Sequence, residues 1–105
     1  MTHYANGARY ERYAKATLER LGYFVVRAAG SHGPVDLVAI PRRSLKSVVP
    51  LLIQVKSGKR RPSAKAVDEL AAMDAVGLRE VWYYAPWQPV EIIYVRGTVP
   101  ADVAP

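Results

Sequence analysis

Two apolar runs joined by a short polar loop constrain this 105-residue chain more than any other feature. The runs cover residues 35–40 (VDLVAI) and 50–56 (PLLIQVK), and the segment between them is basic and polar. Such a pair of runs predicts an antiparallel hairpin. If the hairpin is symmetric about Leu45, Asp36 lies opposite Gln54, because both are equally far from Leu45 along the chain.

This register brings three polar side chains together. Side chains two residues apart on a strand share a face, so Gln54 and Lys56 point the same way. Directly paired residues have Cβ atoms about 5 Å apart, which places Asp36 beside them. The alternative is an ordinary surface Asp–Lys pair, worth about 0–1 kcal/mol. The constellation alone leaves both interpretations open.

The rest of the chain predicts a mixed α/β sheet with helices packed on it, in the order α-β-β-β-α-β-β. The first helix has an apolar stripe, with Asn6 as its N-cap and Gly22 as its stop. We expect one domain over residues 1–105, frayed at 1–5 and 98–105. The predicted helices cover 7–21 and 63–76, and the predicted strands cover 23–28, 35–40, 50–56, 81–85 and 90–95.

The charge distribution favours a polyanionic partner. The chain has 15 Lys and Arg against nine Asp and Glu, a net charge of +6. Between Asp36 and Asp68 there is no acidic residue but there are eight basic ones. Each one alone is best explained as a solvated surface residue, whereas the run as a whole indicates phosphate contacts.

The composition also excludes several classes. The absence of cysteine excludes disulfide scaffolds, thiolate metal sites and a cysteine nucleophile. No apolar run approaches the length of a membrane span, and the first residues lack the apolar core of a signal peptide. We therefore expect a cytoplasmic protein without a membrane partner, located in the host cytoplasm if its origin is viral.

Hydrolysis of a phosphodiester needs a divalent cation, oxygen ligands to hold it and a fixed positive group. Asp36 and Gln54 can supply oxygen ligands, and Lys56 can supply the positive group. A further carboxylate is available from Glu11, at the rim of the sheet-facing side of the first helix. The alternative for Glu11 is a surface pair with Lys15.

Three motifs carry a family resemblance: G-A-x-x-E-R at residues 7–12, A-G-S-x-G-x-x-D-L-V-A at 29–39, and Q-V-K-S-G at 54–58. Together they resemble the archaeal-type Holliday junction resolvases of the PD-(D/E)xK nuclease superfamily. The resemblance implies a restriction-endonuclease-like sheet of about five strands. It also implies metal ligands at Glu11, Asp36 and Gln54, a catalytic Lys56, and Ser31 near the scissile phosphate.

Gln54 stands where the family usually has Glu. A neutral carbonyl removes one negative charge from the metal shell, so we expect Mg²⁺ as the cofactor, with Mn²⁺ able to substitute or preferred. Because the metal shell is weaker, one alternative is that the protein is a catalytically weak DNA-binding member of the family. A nuclease for another DNA substrate, of restriction, repair or flap type, is the second alternative.

The expected activity is a metal-dependent, structure-selective cut of four-way DNA junctions by paired symmetric nicks from a homodimer. The homodimer needs an interface, and two of its candidate residues, Trp82 and Tyr84, could instead belong to the core of the single chain. The expected DNA contacts are Arg9, Arg12, Arg42, Arg43, Lys46, Lys59, Arg60 and Arg61, and the expected dimer interface is Leu70, Met73, Trp82 and Tyr84.

Overall fold

The structure, a computed structural model, describes residues 3–28 and 33–95, the first four of them by backbone only. Two helices and five strands follow one another in the predicted order, α-β-β-β-α-β-β. The elements are α1 (His3–Arg20), β1 (Tyr23–Arg27), β2 (Leu37–Pro41), β3 (Leu51–Ser57), α2 (Ala64–Ala71), β4 (Leu78–Tyr84) and β5 (Glu91–Val95).

The five strands form one mixed sheet in the order β1-β2-β3-β4-β5. All neighbours are antiparallel except β3 and β4, which run parallel and are connected through α2. In the β2–β3 pair Leu37 lies opposite Ile53 and Ala39 lies opposite Leu51. Both pairs are centred on Leu45, so the predicted register is confirmed, and it places the start of β2 beside the end of β3.

Helix α1 covers one face of the sheet. Its buried residues Ala14 and Leu18 pack with Leu37 and Ile53 of the central hairpin and with Trp82 of β4. These side chains follow the predicted stripe of α1 and the alternate positions of the strands. They form the larger of the two cores and hold α1 across the hairpin.

The ends of α1 partly match the prediction. Gly22 follows the helix with φ +104°, a conformation that favours glycine, so the predicted stop is confirmed. The prediction of Asn6 as N-cap is wrong, because α1 already begins at His3. Ala8, in the second turn of α1, is buried, so burial of the helix extends close to its start.

Helix α2 covers part of the opposite face, where Leu70 packs with Leu52 and Val81. Ser63 caps its start by accepting a hydrogen bond from the Ala66 amide at 3.2 Å. The helix ends at Ala71, before the predicted end at residue 76. After this end, carbonyl groups of the following loop accept hydrogen bonds from the buried Arg79 side chain instead of continuing the helix.

Arg79 exposes only 2% of its surface, although its side chain carries a positive charge. Its guanidinium donates four hydrogen bonds, of 2.6–3.0 Å, to one carbonyl oxygen in the last turn of α2 and to three in the connection that follows. A cation at the end of a helix also interacts favourably with the helix dipole. The α2–β4 connection is therefore wrapped around a single arginine. The four acceptors belong to Leu70, Met73, Ala75 and Gly77.

The predicted dimer interface is wrong at two positions. Leu70 is completely buried and Trp82 exposes 2%, so both belong to the core of one chain and cannot contact a second copy. Trp82 also donates its indole N–H to Glu80 at 2.8 Å. In the part of the chain that the structure describes, no helix combines the length and apolarity needed to cross a membrane.

Candidate active site

Asp36 immediately precedes β2, at the edge where β2 approaches β3. Its backbone N–H donates to the Ile53 carbonyl at 2.8 Å. Its carboxylate accepts a hydrogen bond from the Val55 N–H, also at 2.8 Å. The side chain is thus held against the β3 backbone by a donor that the strand supplies, and one carboxylate oxygen remains for other partners.

Gln54 and Lys56 lie on the face of β3 opposite Leu51 and Ile53, and the confirmed register puts Asp36 beside that face. Gln54 exposes only 6% of its surface, whereas Lys56 is exposed. Among the described residues, the Oε1 atom of Gln54 is the buried side-chain polar atom without a hydrogen-bond partner. A buried carbonyl oxygen without a hydrogen-bond partner lowers stability by about 1–3 kcal/mol. A bound cation or water would remove this penalty, so the oxygen is a candidate ligand.

The electrostatics of Asp36 also fit a cation site. Burial raises the pKa of its carboxyl group, and the nearby Glu11 carboxylate raises it further. The Val55 hydrogen bond and the charges of Lys56 and Arg27 oppose this rise. Negative charge at Asp36 is therefore undercompensated by the protein itself, which is the condition that a bound dication relieves.

Glu11 points toward the sheet and its side chain is 20% exposed. Its carboxylate accepts a hydrogen bond from the Arg27 Nε at 2.7 Å. The alternative pairing with Lys15 is wrong, because Lys15 contacts Glu19 instead, at 3.9 Å. Glu11 is also close enough to Asp36 to affect its pKa, so α1 and the hairpin contribute to one site.

Arg27 was missed by sequence reasoning. Arg27 is the last residue of β1, and its distance along the chain from the other site residues fits no recognised motif. Only the packing of α1 on the sheet brings it to Glu11. The signal in the sequence is the charge itself, at the end of a strand that otherwise consists of aromatic and β-branched residues.

The donor set fits a hard divalent cation. It comprises the Glu11 and Asp36 carboxylates and the Gln54 carbonyl, all oxygen atoms, which Mg²⁺ and Mn²⁺ prefer. Among the described residues no group of three His, Cys, Asp or Glu could hold a metal. The Gln54 carbonyl is the candidate third protein oxygen beside the two carboxylates. Mg²⁺ commonly retains several waters, and a small set of protein oxygens suffices for it.

All the predicted DNA contacts are exposed. One of them, Arg61, forms a bidentate pair with Glu91, with both N–O distances at 2.7 Å, so its charge is shared. Arg9 lies 5.2 Å from the ring centre of Tyr10. The prediction for Ser31 concerns a residue outside the described ranges. The exposed group is Arg9, Arg12, Arg42, Arg43, Lys46, Lys59, Arg60 and Arg61.

Comparison with known proteins defines the class. The family model Mrr_cat, described as restriction endonuclease, matches residues 3–82. The chain belongs to this restriction endonuclease family, and its domain is a nuclease domain of the PD-(D/E)xK fold. No curated protein sequence matches the chain significantly.

Among solved structures, the fold is similar to that of Archaeoglobus fulgidus Hjc, a Holliday junction resolvase from an archaeal hyperthermophile. The two share 29% sequence identity with a TM-score of 0.65. The match covers 85% of this chain and 72% of the other. The predicted family resemblance and fold are therefore confirmed. Nucleases of this superfamily generally use divalent metals.

Proposed function

We propose that this protein is a metal-dependent endonuclease that resolves four-way DNA junctions by paired symmetric nicks. The observation that carries the proposal is the unpartnered Gln54 Oε1 beside Asp36 and Lys56, at one edge of a restriction endonuclease sheet. The similarity to a Holliday junction resolvase supports this substrate over the alternatives.

In the mechanism, Glu11, Asp36 and Gln54 would hold Mg²⁺ or Mn²⁺. The cation supplies a polarised phosphoryl oxygen and a more acidic water. The Val55 N–H holds the Asp36 carboxylate toward β3, which fixes one ligand before substrate arrives. The exposed Lys56 ammonium either orients the attacking water or offsets charge that develops on the phosphate. Arg27 holds Glu11 in place in the apo protein.

The two basic segments fit a long polyanion. The loop with Arg42, Arg43 and Lys46 lies at one end of the β2–β3 hairpin, and the connector with Lys59 and Arg60 follows the other end of β3. DNA that crosses the candidate site can thus contact phosphates on both sides of it. Exposed cations of this kind contribute through counterion release.

A cleavage assay tests this function. On a synthetic four-way junction with Mg²⁺ or Mn²⁺, Asp36→Asn and Lys56→Ala should abolish cutting while junction binding persists. Lys46→Ala, in the distant loop, is the matched control and should retain cutting with weaker binding. Parental cutting by either active-site variant would refute the site assignment.

The choice of substrate has its own test. Junction, nicked, flapped and linear duplexes are digested side by side, and paired symmetric cuts confined to the junction support the proposal. Preference for a flap or a linear duplex would point to another nuclease of this class. Tight junction binding without cutting in either metal, reversed by Gln54→Glu, would identify a catalytically weak member.

A homodimer that cuts two strands needs a two-fold surface, which we place on the outer face of β1 and β2. Phe24 lies opposite Ile40, and Val26 lies opposite Val38, so all four share the face away from α1. Phe24, Val26 and Ile40 are exposed there. Exposed cross-strand apolar pairs are typical of an interface, and self-association would bury them.

Sedimentation measures this association. Ile40→Lys should produce a monomer if that face is the interface, because a charge would be buried at its centre. Val76→Lys changes an equally exposed valine on the α2–β4 connection and should leave the dimer intact. A monomer in the parent, or a dimer in Ile40→Lys, would contradict the placement.

A further inference from the structure

A cluster of aromatic rings on α1 and at the end of β4 is not used by the chemistry described so far. Tyr10 packs on Tyr84 with ring centres 4.9 Å apart, and Tyr13 contacts Tyr10 edge-on at 5.8 Å. The Arg9 guanidinium lies over Tyr10. The rings therefore form a continuous surface on α1 and the end of β4.

Two cavities open onto this surface. One, of about 410 Å³, lies between Tyr13 and Trp87, and a smaller one, of about 150 Å³, reaches Ser57 and Gly58. Ser57 directly follows Lys56 on β3, so the smaller cavity lies at the same end of β3 as the candidate active site, on the face that α1 covers. Among the described residues, both cavities are lined by aromatic, small and arginine side chains and by no acidic ones.

Trp87 is the most unusual member. It is 100% exposed, in the turn between β4 and β5, and its φ of 60° is rare for a residue other than glycine. Because its indole is fully hydrated, Trp87 adds no hydrophobic burial to the stability of the fold. A large aromatic held away from the core beside a basic groove is typical of a surface on which a planar ligand stacks.

We propose that Trp87, Tyr13 and Arg9 bind an unpaired or unstacked nucleobase of DNA that crosses the end of β3. The inference rests on the proposed nuclease function and adds a recognition site to it. Arg9 would contact the adjoining phosphate, and the rings would stack on the base. Bases inside a duplex have both faces covered, so this site favours DNA distorted at a branch over regular duplex.

Tryptophan fluorescence tests the proposal directly. The chain has two tryptophans, and only Trp87 can contact a ligand, because Trp82 is 2% exposed. In EDTA, an oligothymidylate of about ten nucleotides, within the site sizes usual for single strands, should quench the emission of the parent protein. A blunt duplex of the same length should quench less. In Trp87→Phe the remaining Trp82 emission should not change, while binding, followed by anisotropy of labelled DNA, persists.

Trp87→Ala should weaken oligothymidylate binding by roughly 5- to 150-fold, the effect of losing one base–aromatic stack. The control is Tyr94→Ala, an aromatic that is 77% exposed and is paired with Glu80, away from the β4–β5 turn. It should leave binding unchanged. Because Trp87 is fully exposed, its replacement does not disturb the core.

The outcomes separate this inference from the proposed function. Quenching by the oligothymidylate in a protein that does not cut junctions would support the base site and refute junction resolution. Normal junction cutting with no quenching, or with equal quenching by duplex, would refute the base site alone. Unchanged affinity in Trp87→Ala would refute it as well.

Discussion

Replacing Arg79 by methionine should remove about 2–6 kcal/mol from the free energy of unfolding. Of its four hydrogen bonds, those to Leu70 and Gly77 are fully buried and those to Met73 and Ala75 are partly buried. Each buried carbonyl left without a donor costs about 1–3 kcal/mol, which gives about 2–6 kcal/mol for the two buried acceptors. The partly buried pair can turn to water, so it adds little.

Urea unfolding followed by circular dichroism measures this loss. With a slope of about 1.5 kcal/mol per molar urea, the midpoint should fall by about 1–4 M. Arg43→Met, an exposed arginine of the hairpin loop, is the control and should change stability by less than about 0.5 kcal/mol. A loss below about 1 kcal/mol for Arg79→Met would refute the view that this arginine organises the α2–β4 connection.

The other predictions concern the site and the sheet. The raised pKa of Asp36 means that its protonated form favours the folded state, so in EDTA stability should fall as pH rises from 3.8 through the raised pKa. Asp36→Asn should remove that fall, and an unchanged pH profile of thermal unfolding would contradict the assignment. Gln54→Met should stabilise the apo protein by about 1–3 kcal/mol by removing the unpartnered oxygen. It should also weaken the rise in Tm caused by Mn²⁺, and a rise as large as in the parent would exclude Gln54 as a ligand. Gly77→Ala should destabilise by about 1–3 kcal/mol, because its Cβ would lie 2.9 Å from Leu52 Cγ and 3.1 Å from the Pro50 carbonyl. Unfolding at the parental urea concentration would disprove that crowding.

Much of the candidate site could be predicted because its geometry is local. The placement of Asp36 beside Gln54 and Lys56 needs only strand alternation and one hairpin register, and the register was confirmed. The order of elements could likewise be predicted from apolar periodicity, and Gly22 from the backbone that a helix end requires.

Other features depended on contacts between distant segments. Nothing in the spacing distinguishes Arg79, buried in the core, from the exposed arginines of the loops, since they differ only in where the chain folds around them. Trp82 and Trp87 are equally apolar, yet one lies under α1 and the other extends into water.

By itself, the sequence determined the hairpin, the order of elements and the acid, amide and amine at the end of that hairpin. These follow from periodicity over a few residues, which is encoded in the backbone. Only the tertiary structure decided that Glu11 pairs with Arg27, that α2 stops at Ala71 and that four aromatic residues from two elements and a turn line two adjoining cavities. Those outcomes depend on how a helix and a sheet share their surfaces, and side-chain type alone does not specify that packing.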